Sequence, residues 1–260
     1  MSTSSRPTEF RALHEGAPFV IPNPWDAGSA RMLEALGFKA LATTSSGFAF
    51  TLGRPDGGVT LDEVVEHTHA LASAVAIPVA VDLENGYGAA PEDAARAVSA
   101  AAGAAAAGGS IEDWDADAGL YSLEAATERI AAAAEAAAPT GFVLTARAEN
   151  HIRGNPDLDD TIARLRAYEA AGADVLYAPG LRSADEVRSV CEAVSKPVNV
   201  LAFPGMQMSE LVDAGAQRVS VGGQLTWVGA AAAAEAAVSI RDDGDFSGLA
   251  ARLQGADWLR

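Results

Sequence analysis

Apolar and polar positions repeat one unit along the chain: a short β-rich apolar run, a turn carrying Gly, Pro or Asp, then an amphipathic or Ala-rich helical stretch. Eight such units can be read. The expected strands cover residues 18–25, 40–46, 78–85, 108–114, 142–149, 173–180, 197–203 and 218–223. The expected helices cover 26–37, 61–75, 91–106, 123–138, 157–171, 183–194, 208–214 and 225–240. Asp26, Thr60, Ser122, Ser183 and Ser209 stand at helix starts, where a side-chain oxygen can accept from free backbone amides. Pro78 and Pro197 open strands, and Pro91 suits a first helical turn. Helices end in small-residue turns such as Ala170-Ala171-Gly172. Strands joined by helical crossovers must be parallel, because each crossover returns the chain to the same end of the sheet. The expectation is an α/β fold, a (β/α)8 TIM-type barrel in one domain over 1–260, with a C-terminal helical tail from about 241.

Composition narrows the function. The Ala-rich tracts 100–107 and 230–237 are too weakly hydrophobic to span a bilayer, and the polar N-terminus lacks a signal-peptide pattern, so a cytoplasmic protein is expected. One cysteine, Cys191, excludes an intrachain disulfide and a Cys-based zinc cage. Any metal must be held by oxygen or His. The net charge of −17 argues against nucleic acid and anionic membrane surfaces. It would also repel an anionic substrate, so an acidic ligand needs a locally positive site supplied by a metal or a placed arginine.

In a parallel barrel the chemistry sits at the C-terminal strand ends. Here those ends are acidic. Asp82 and Glu84 close strand three with the spacing that shares one side of a strand, Glu112 and Asp113 close strand four, and Asp56 lies in the insertion after strand two. Two such charges about 4 Å apart cost on the order of 4 kcal/mol at an effective dielectric near 20. A hard divalent cation such as Mg²⁺ would offset that repulsion. The plainer alternative is that Asp56, Glu112 and Asp113 are solvated loop acids. Arg147, ending strand five, can hold a carboxylate bidentately; its alternative is a structural ion pair with Glu149 or Glu112. Ser45, Ser46 and Gly47 end strand two with hydroxyls and backbone amides suited to a carboxylate. His151 is the only histidine near these strand ends, whereas His67 and His69 cannot share a helix face. Gly222-Gly223 could cradle a phosphate, a weak signal without a Lys or Arg partner.

Several runs, in order, carry a family likeness: 22–30 (PNPWDAGSA), 44–47 (TSSG), 53–56 (GRPD), 82–88 (DLENGYG), 111–113 (IED) and Ala146-Arg147. Together they resemble the isocitrate lyase and phosphoenolpyruvate mutase superfamily. The resemblance implies a barrel with Mg²⁺ at its mouth (Mn²⁺ in its place is an alternative) and an enolate-type intermediate of a 2-oxo acid. It also implies a homo-oligomer, a dimer or a tetramer of dimers that exchange their last helices. On this likeness Asp82 matches the direct metal ligand, and Asp56, Glu84 and Glu112 match acids reaching the metal directly or through water, with Glu84 where Asp is usual. Arg147 matches the arginine on the substrate carboxylate, and Ser45, Ser46 and Gly47 match the segment binding the same oxoacid end. Asn199 on strand seven joins the substrate-binding candidates.

The departures matter as much. The Lys-Lys-Cys-Gly-His loop of isocitrate and methylisocitrate lyases is replaced by 113–121 (DWDADAGLY), and the longer loop of the mutases and phosphonopyruvate hydrolases, with Lys or Thr followed by Asn, is missing as well. Tyr87, Tyr121 and His151 are left as proton donors. The implied activity is a Mg²⁺-dependent lyase or decarboxylase cleaving a C–C bond of a small 2-oxo or 2-hydroxy carboxylate. Its rivals are P–C chemistry of the phosphoenolpyruvate mutase or phosphonopyruvate hydrolase type, and a catalytically silent oxoacid-binding barrel.

Overall fold

The computed structural model describes residues 5–250. Its elements, in chain order, are α1 (Arg6–Glu15), β1 (Phe19–Ile21), α2 (Ala27–Ala35), β2 (Leu41–Ala42), α3 (Ser45–Thr51), α4 (Leu61–Ala74), β3 (Val79–Asp82), α5 (Pro91–Gly103), β4 (Gly108–Glu112), β5 (Trp114–Asp115), β6 (Gly119–Leu120), α6 (Leu123–Ala137), β7 (Val143–Arg147), α7 (Leu158–Ala170), β8 (Val175–Tyr177), α8 (Ala184–Ala193), β9 (Val198–Leu201), α9 (Met208–Asp213), β10 (Arg218–Ser220) and α10 (Gln224–Asp243). Eight strands pair in the order β1-β10-β9-β8-β7-β4-β3-β2, every pair parallel. At the seam Ala42 N–H donates to Pro22 O at 3.1 Å, and the Asn23 amide donates to Thr43 O at 3.0 Å. The sheet therefore closes into the expected barrel.

Local chemistry explains the register of the helices. Asp26, Thr60 and Ser183 form capping boxes with Ser29, Glu63 and Glu186, and Pro91 opens α5 where its missing N–H costs nothing. A large apolar cluster, with Val81, Leu144, Leu165, Tyr168 and Leu176, fills the space between strands and helices. The regular strands are shorter than expected because their last residues leave the ladder to build the mouth.

Four features depart from the expectation. First, α1 is a helix where the sequence suggested only a polar N-terminal segment. Its few apolar residues make a weak period, yet Ser5 caps it and Phe10, fully buried, packs with Phe19, Ile21, Val143 and Val175. Second, α3 begins at Ser45, where strand two was expected to continue; Thr44 caps it, its side chain accepting from Gly47 N–H. Third, the segment after β4 holds a small antiparallel hairpin, β5–β6. Fourth, α9 starts at Met208 behind Gln207, so Ser209 does not cap it.

Inside the barrel, Arg218 is buried without a carboxylate partner among the described residues. Its guanidinium donates to Asn199 Oδ1 (2.8 Å) and Thr145 Oγ1 (3.1 Å), and Nη1 lies 3.1 Å from His14 Nε2. Since that nitrogen faces a donor, Nδ1 must carry the proton it shares with Phe10 O at 2.8 Å. Burial, with Arg218 adding, pushes His14 down to about 3, so the imidazole is neutral.

No described helix is long and apolar enough to cross a membrane. On α10 only Thr226 is buried, while Trp227, Val228 and Val238 are exposed. Of the expected apolar tail, Phe246 and Leu249 are exposed; Leu253, Trp258 and Leu259 lie outside the described residues.

Candidate active site

The barrel mouth holds a cavity of about 310 Å³. Carboxylates of Asp56, Glu84, Glu112, Asp115 and Asp117 line it, as do Ser45, Tyr87, Trp114 and two bases, Arg147 and Arg153. A smaller interior cavity of about 60 Å³ has Asp82, Arg147, Asn199 and Arg218 among its walls. Arg147 faces both.

Asp82 ends β3, and hydrogen bonds orient it. Its N–H donates to Thr43 Oγ1 at 2.9 Å, Oδ1 accepts from Glu84 N–H (3.3 Å) and Ser110 Oγ (3.4 Å), and Oδ2 accepts from Ser45 N–H at 3.5 Å. Glu84 lies past the end of the ladder, in a turn where both it (φ 48°) and Tyr87 (φ 61°) are left-handed. Left-handed backbone in a non-glycine residue is costly and concentrates at functional sites. Between them Gly86 is required, since a Cβ there would lie 2.9 Å from Ala94 Cα. The turn, not strand alternation, aims Glu84 at the mouth, which corrects the reason expected for its pairing with Asp82. The Tyr87 hydroxyl donates to Glu84 Oε1 at 3.2 Å.

The electrostatics are those of crowded buried acids. Burial, then the charges of Asp82 and Asp56, push Glu84 up to about 7. Burial pushes Glu112 up to about 8, with Arg147 pulling down and Glu149 and Asp82 adding to the rise. One guanidinium serves three acids: Arg147 Nη1 is 3.3 Å from Glu112 and 3.7 Å from Asp82, and Nε donates to Glu149. Burial works against its charge, but Glu112, Glu149 and Asp82 outweigh that and hold Arg147 firmly protonated. Glu149 itself is fully buried and passes its second oxygen to Arg153 Nε at 2.9 Å.

Comparison with known proteins places the chain in a family. The family model described as phosphoenolpyruvate phosphomutase matches residues 10–241. The chain belongs to the phosphoenolpyruvate mutase/isocitrate lyase superfamily. Among solved superfamily structures, one from Burkholderia cenocepacia J2315, provisionally described as a lyase/mutase, is 49% identical with a TM-score of 0.94, covering 98% of this chain and 95% of that one. An oxaloacetate decarboxylase of Rhodopseudomonas palustris (strain HaA2) is 33% identical over 85% of this chain and 78% of its own. An oxaloacetate acetylhydrolase, solved with its product oxalate, is 27% identical with a TM-score of 0.86, covering 94% of this chain and 89% of that one.

Within this superfamily member the expected site residues separate. Asp56, Glu84, Glu112, Arg147, Ser45 and Tyr87 line the mouth cavity, and Asp82 stands beside it. Ser46 and Gly47 are turned toward the last helix. Ser46 Oγ lies 3.2 Å from Thr44 Oγ1, and a Cβ on Gly47 would stand 2.6 Å from Thr226 Oγ1. Asn199 is placed in the interior cavity with its amide spent on Arg218 and Ser220. Tyr121 does not itself line the mouth, but its hydroxyl lies by two residues that do, Asn85 (3.4 Å) and Asp115 (3.5 Å). The His151 ring bonds Thr161 Oγ1 at 2.9 Å and lines neither cavity. Of the three proton donors expected, Tyr87 lines the mouth and bonds Glu84, Tyr121 reaches the mouth acid Asp115 without lining the cavity itself, and His151 is turned away. Asp113 serves the scaffold: its carboxylate accepts from Glu149 N–H (2.7 Å), Arg164 Nη1 (3.0 Å) and the Tyr168 hydroxyl. Sequence reasoning missed Arg153 and Trp114, whose place at the mouth depends on how two loops fold. Glu149, two residues after Arg147, was seen only as a possible ion-pair partner.

The donor set suits a hard divalent cation. Every acid at the mouth is a carboxylate, and two of them are driven above the ordinary range by burial and mutual repulsion. Among the described residues no three ligand groups converge into a complete protein cage. That is compatible with Mg²⁺, which is commonly held by one or two carboxylates and keeps several waters.

Proposed function

We propose that the protein is a divalent-metal-dependent lyase or decarboxylase that cleaves a C–C bond of a small 2-oxo or 2-hydroxy carboxylate. The observation that carries this reading is one cavity joining the acids Asp56, Glu84 and Glu112 to the guanidinium of Arg147, beside Asp82. Asp82 would hold Mg²⁺ or Mn²⁺ directly, with Glu84, Glu112 and Asp56 reaching it directly or through water. The ion, when bound, supplies Lewis-acid stabilisation of negative charge developing on the substrate oxygen.

The chain's own residues do the rest. Arg147 is kept protonated by its three acids, so it offers a fixed positive charge to the substrate carboxylate in an otherwise strongly acidic protein. Ser45 N–H, at the start of α3, faces the Asp82 side of the site. Tyr87 carries the proton nearest the acids; its phenol is held above its ordinary range by burial and by Glu84, so it stays protonated until a strongly basic carbanion forms. For oxaloacetate, the substrate named for one relative, the C3–C4 bond would break, CO₂ would leave, and C3 would take up a proton.

The test is a panel of 2-oxo and 2-hydroxy acids, phosphonopyruvate included, incubated with Mg²⁺ and followed for release of pyruvate, glyoxylate, oxalate or phosphate. Turnover should need the metal and should be lost in Asp82→Ala with the fold intact. Full turnover in excess chelator would sink the metal mechanism. Metal and oxalate binding with no turnover of any acid would instead select the silent binding barrel.

A further inference from the structure

Arg153 lies in the loop between β7 and α7, and it is the one base besides Arg147 that lines the mouth cavity among the described residues. Glu149 yokes the two. One oxygen of this fully buried carboxylate accepts from Arg147 Nε and the other from Arg153 Nε, so a single side chain sets where both guanidinium groups stand. The Trp114 ring, 4.8 Å from Arg153 Cζ, takes a face of its guanidinium. Glu112 makes a loose ion pair with Nη2 at 3.7 Å, longer than a hydrogen bond. With one face on a ring and Nε on Glu149, the terminal N–H groups of the Arg153 fork make no hydrogen bond to the described residues. The side chain is also more open than Arg147, 37% exposed against 17%.

An arginine with a purely structural task would spend its fork on its acid. Arg153 is instead anchored by the Nε edge and stacked on its face, which leaves a preorganised two-pronged donor at the cavity. A guanidinium fork matches a carboxylate or a phosphate, and on the C–C-cleaving reading above the group is a carboxylate. Arg147 is already assigned, on the reading above, to the oxoacid end.

We propose that Arg153 is a specificity-determining residue that takes the second carboxylate of a dicarboxylic 2-oxo or 2-hydroxy acid bound in the mouth cavity. The inference rests on the function proposed above, and it narrows the substrate class from small oxoacids to dicarboxylates.

The experiment uses the full chain with saturating Mg²⁺. Binding of matched acids is measured by calorimetry: malate against lactate, which differ in the distal carboxylate, with oxalate as a short ligand confined to the oxoacid end. The wild type should bind malate more tightly than lactate. Arg153→Gln should weaken malate about ten-fold or more and leave oxalate and lactate within about two-fold, in line with the loss of one charged contact. Arg153→Lys should recover part of the loss. Arg147→Lys should weaken all three ligands, because it touches the shared end. If Arg147→Lys behaves so while Arg153→Gln weakens every ligand equally, or none, the Arg153 proposal is overturned and the oxoacid reading stands. If the wild type binds neither oxalate nor malate, the oxoacid reading fails and this proposal falls with it.

Discussion

The raised acid at the mouth makes metal binding and pH interdependent, in a way that a melting experiment can read. In the metal-free protein Glu84 is held near 7 against an ordinary value of 4.5. Between those values the folded state binds a proton that the unfolded state has released. This stability is therefore fully present below the lower value and is lost as pH rises through the upper one. From about pH 5.5 to about pH 8.5 the loss from Glu84 alone is about 2 kcal/mol. Glu112, pushed the same way by burial, adds to the slope.

His14 opposes this in the raw melting curve. Its folded value near 3 lies below the ordinary 6.5, so its contribution is present above 6.5 and lost as pH falls. His14 offsets only part of the acids' loss over the same window, so a simple pH scan would understate that loss. The difference between melts with and without metal removes His14, which does not line the mouth cavity. A cation at the acids requires Glu84 to be ionised, so saturating Mg²⁺ should restore the lost stability at high pH and gain less at low pH. The expected increase in the Mg²⁺-induced Tm shift from about pH 5.5 to about pH 8.5 is roughly 4 to 8 °C, at about 2 to 4 °C per kcal/mol for a chain of this size. Differential scanning fluorimetry with Mg²⁺ and with EDTA at both pH values measures it. A Mg²⁺-induced shift of the same size at both would refute Glu84 as part of the cation site.

Two further outcomes follow from the packing. Asp113→Ala removes the buried acceptor shared by Arg164, Tyr168 and Glu149 N–H, and should cost about 3 to 5 kcal/mol in urea unfolding, as expected when one partner of a buried ion pair is lost; a change below about 1 kcal/mol would remove Asp113 from the scaffold, by the measure of an ordinary surface site. The exposed Trp227, Val228 and Phe50, with Phe50 and Trp227 ring centroids 5.1 Å apart, form an apolar patch on and beside α10 that a second copy of the chain would cover. Light scattering should accordingly give a dimer or tetramer, and a stable monomer at micromolar concentration would reject that assembly.

The period of apolar residues and the punctuation between them determined the barrel, because eight strand-and-helix units with parallel strands have few other ways to bury their faces. They also pointed to the acids: Asp82 and Glu112 end their strands whatever the loops do, whereas Glu84 is aimed at the mouth by the turn that follows. Local signals were enough for Asp26, Thr60 and Ser183 as caps, since a cap and its partner are three residues apart. What depended on distant parts of the chain was not legible. Phe10 makes α1 a plug only because β1, β7 and β8 surround it. His151 was next to the strand-five end in sequence, yet its ring is turned to Thr161 on α7. Ser46 and Gly47 were adjacent to Ser45, yet the first turn of α3 rotates them toward α10 and leaves Ser45 alone at the acids. Arg153 became part of the mouth because Glu149 is buried between two guanidinium groups and Trp114 arrives from another strand. Periodicity records which face of an element is buried, whereas the aim of one polar side chain is set by hydrogen bonds to partners many residues away. Those partners exist only once the barrel has closed.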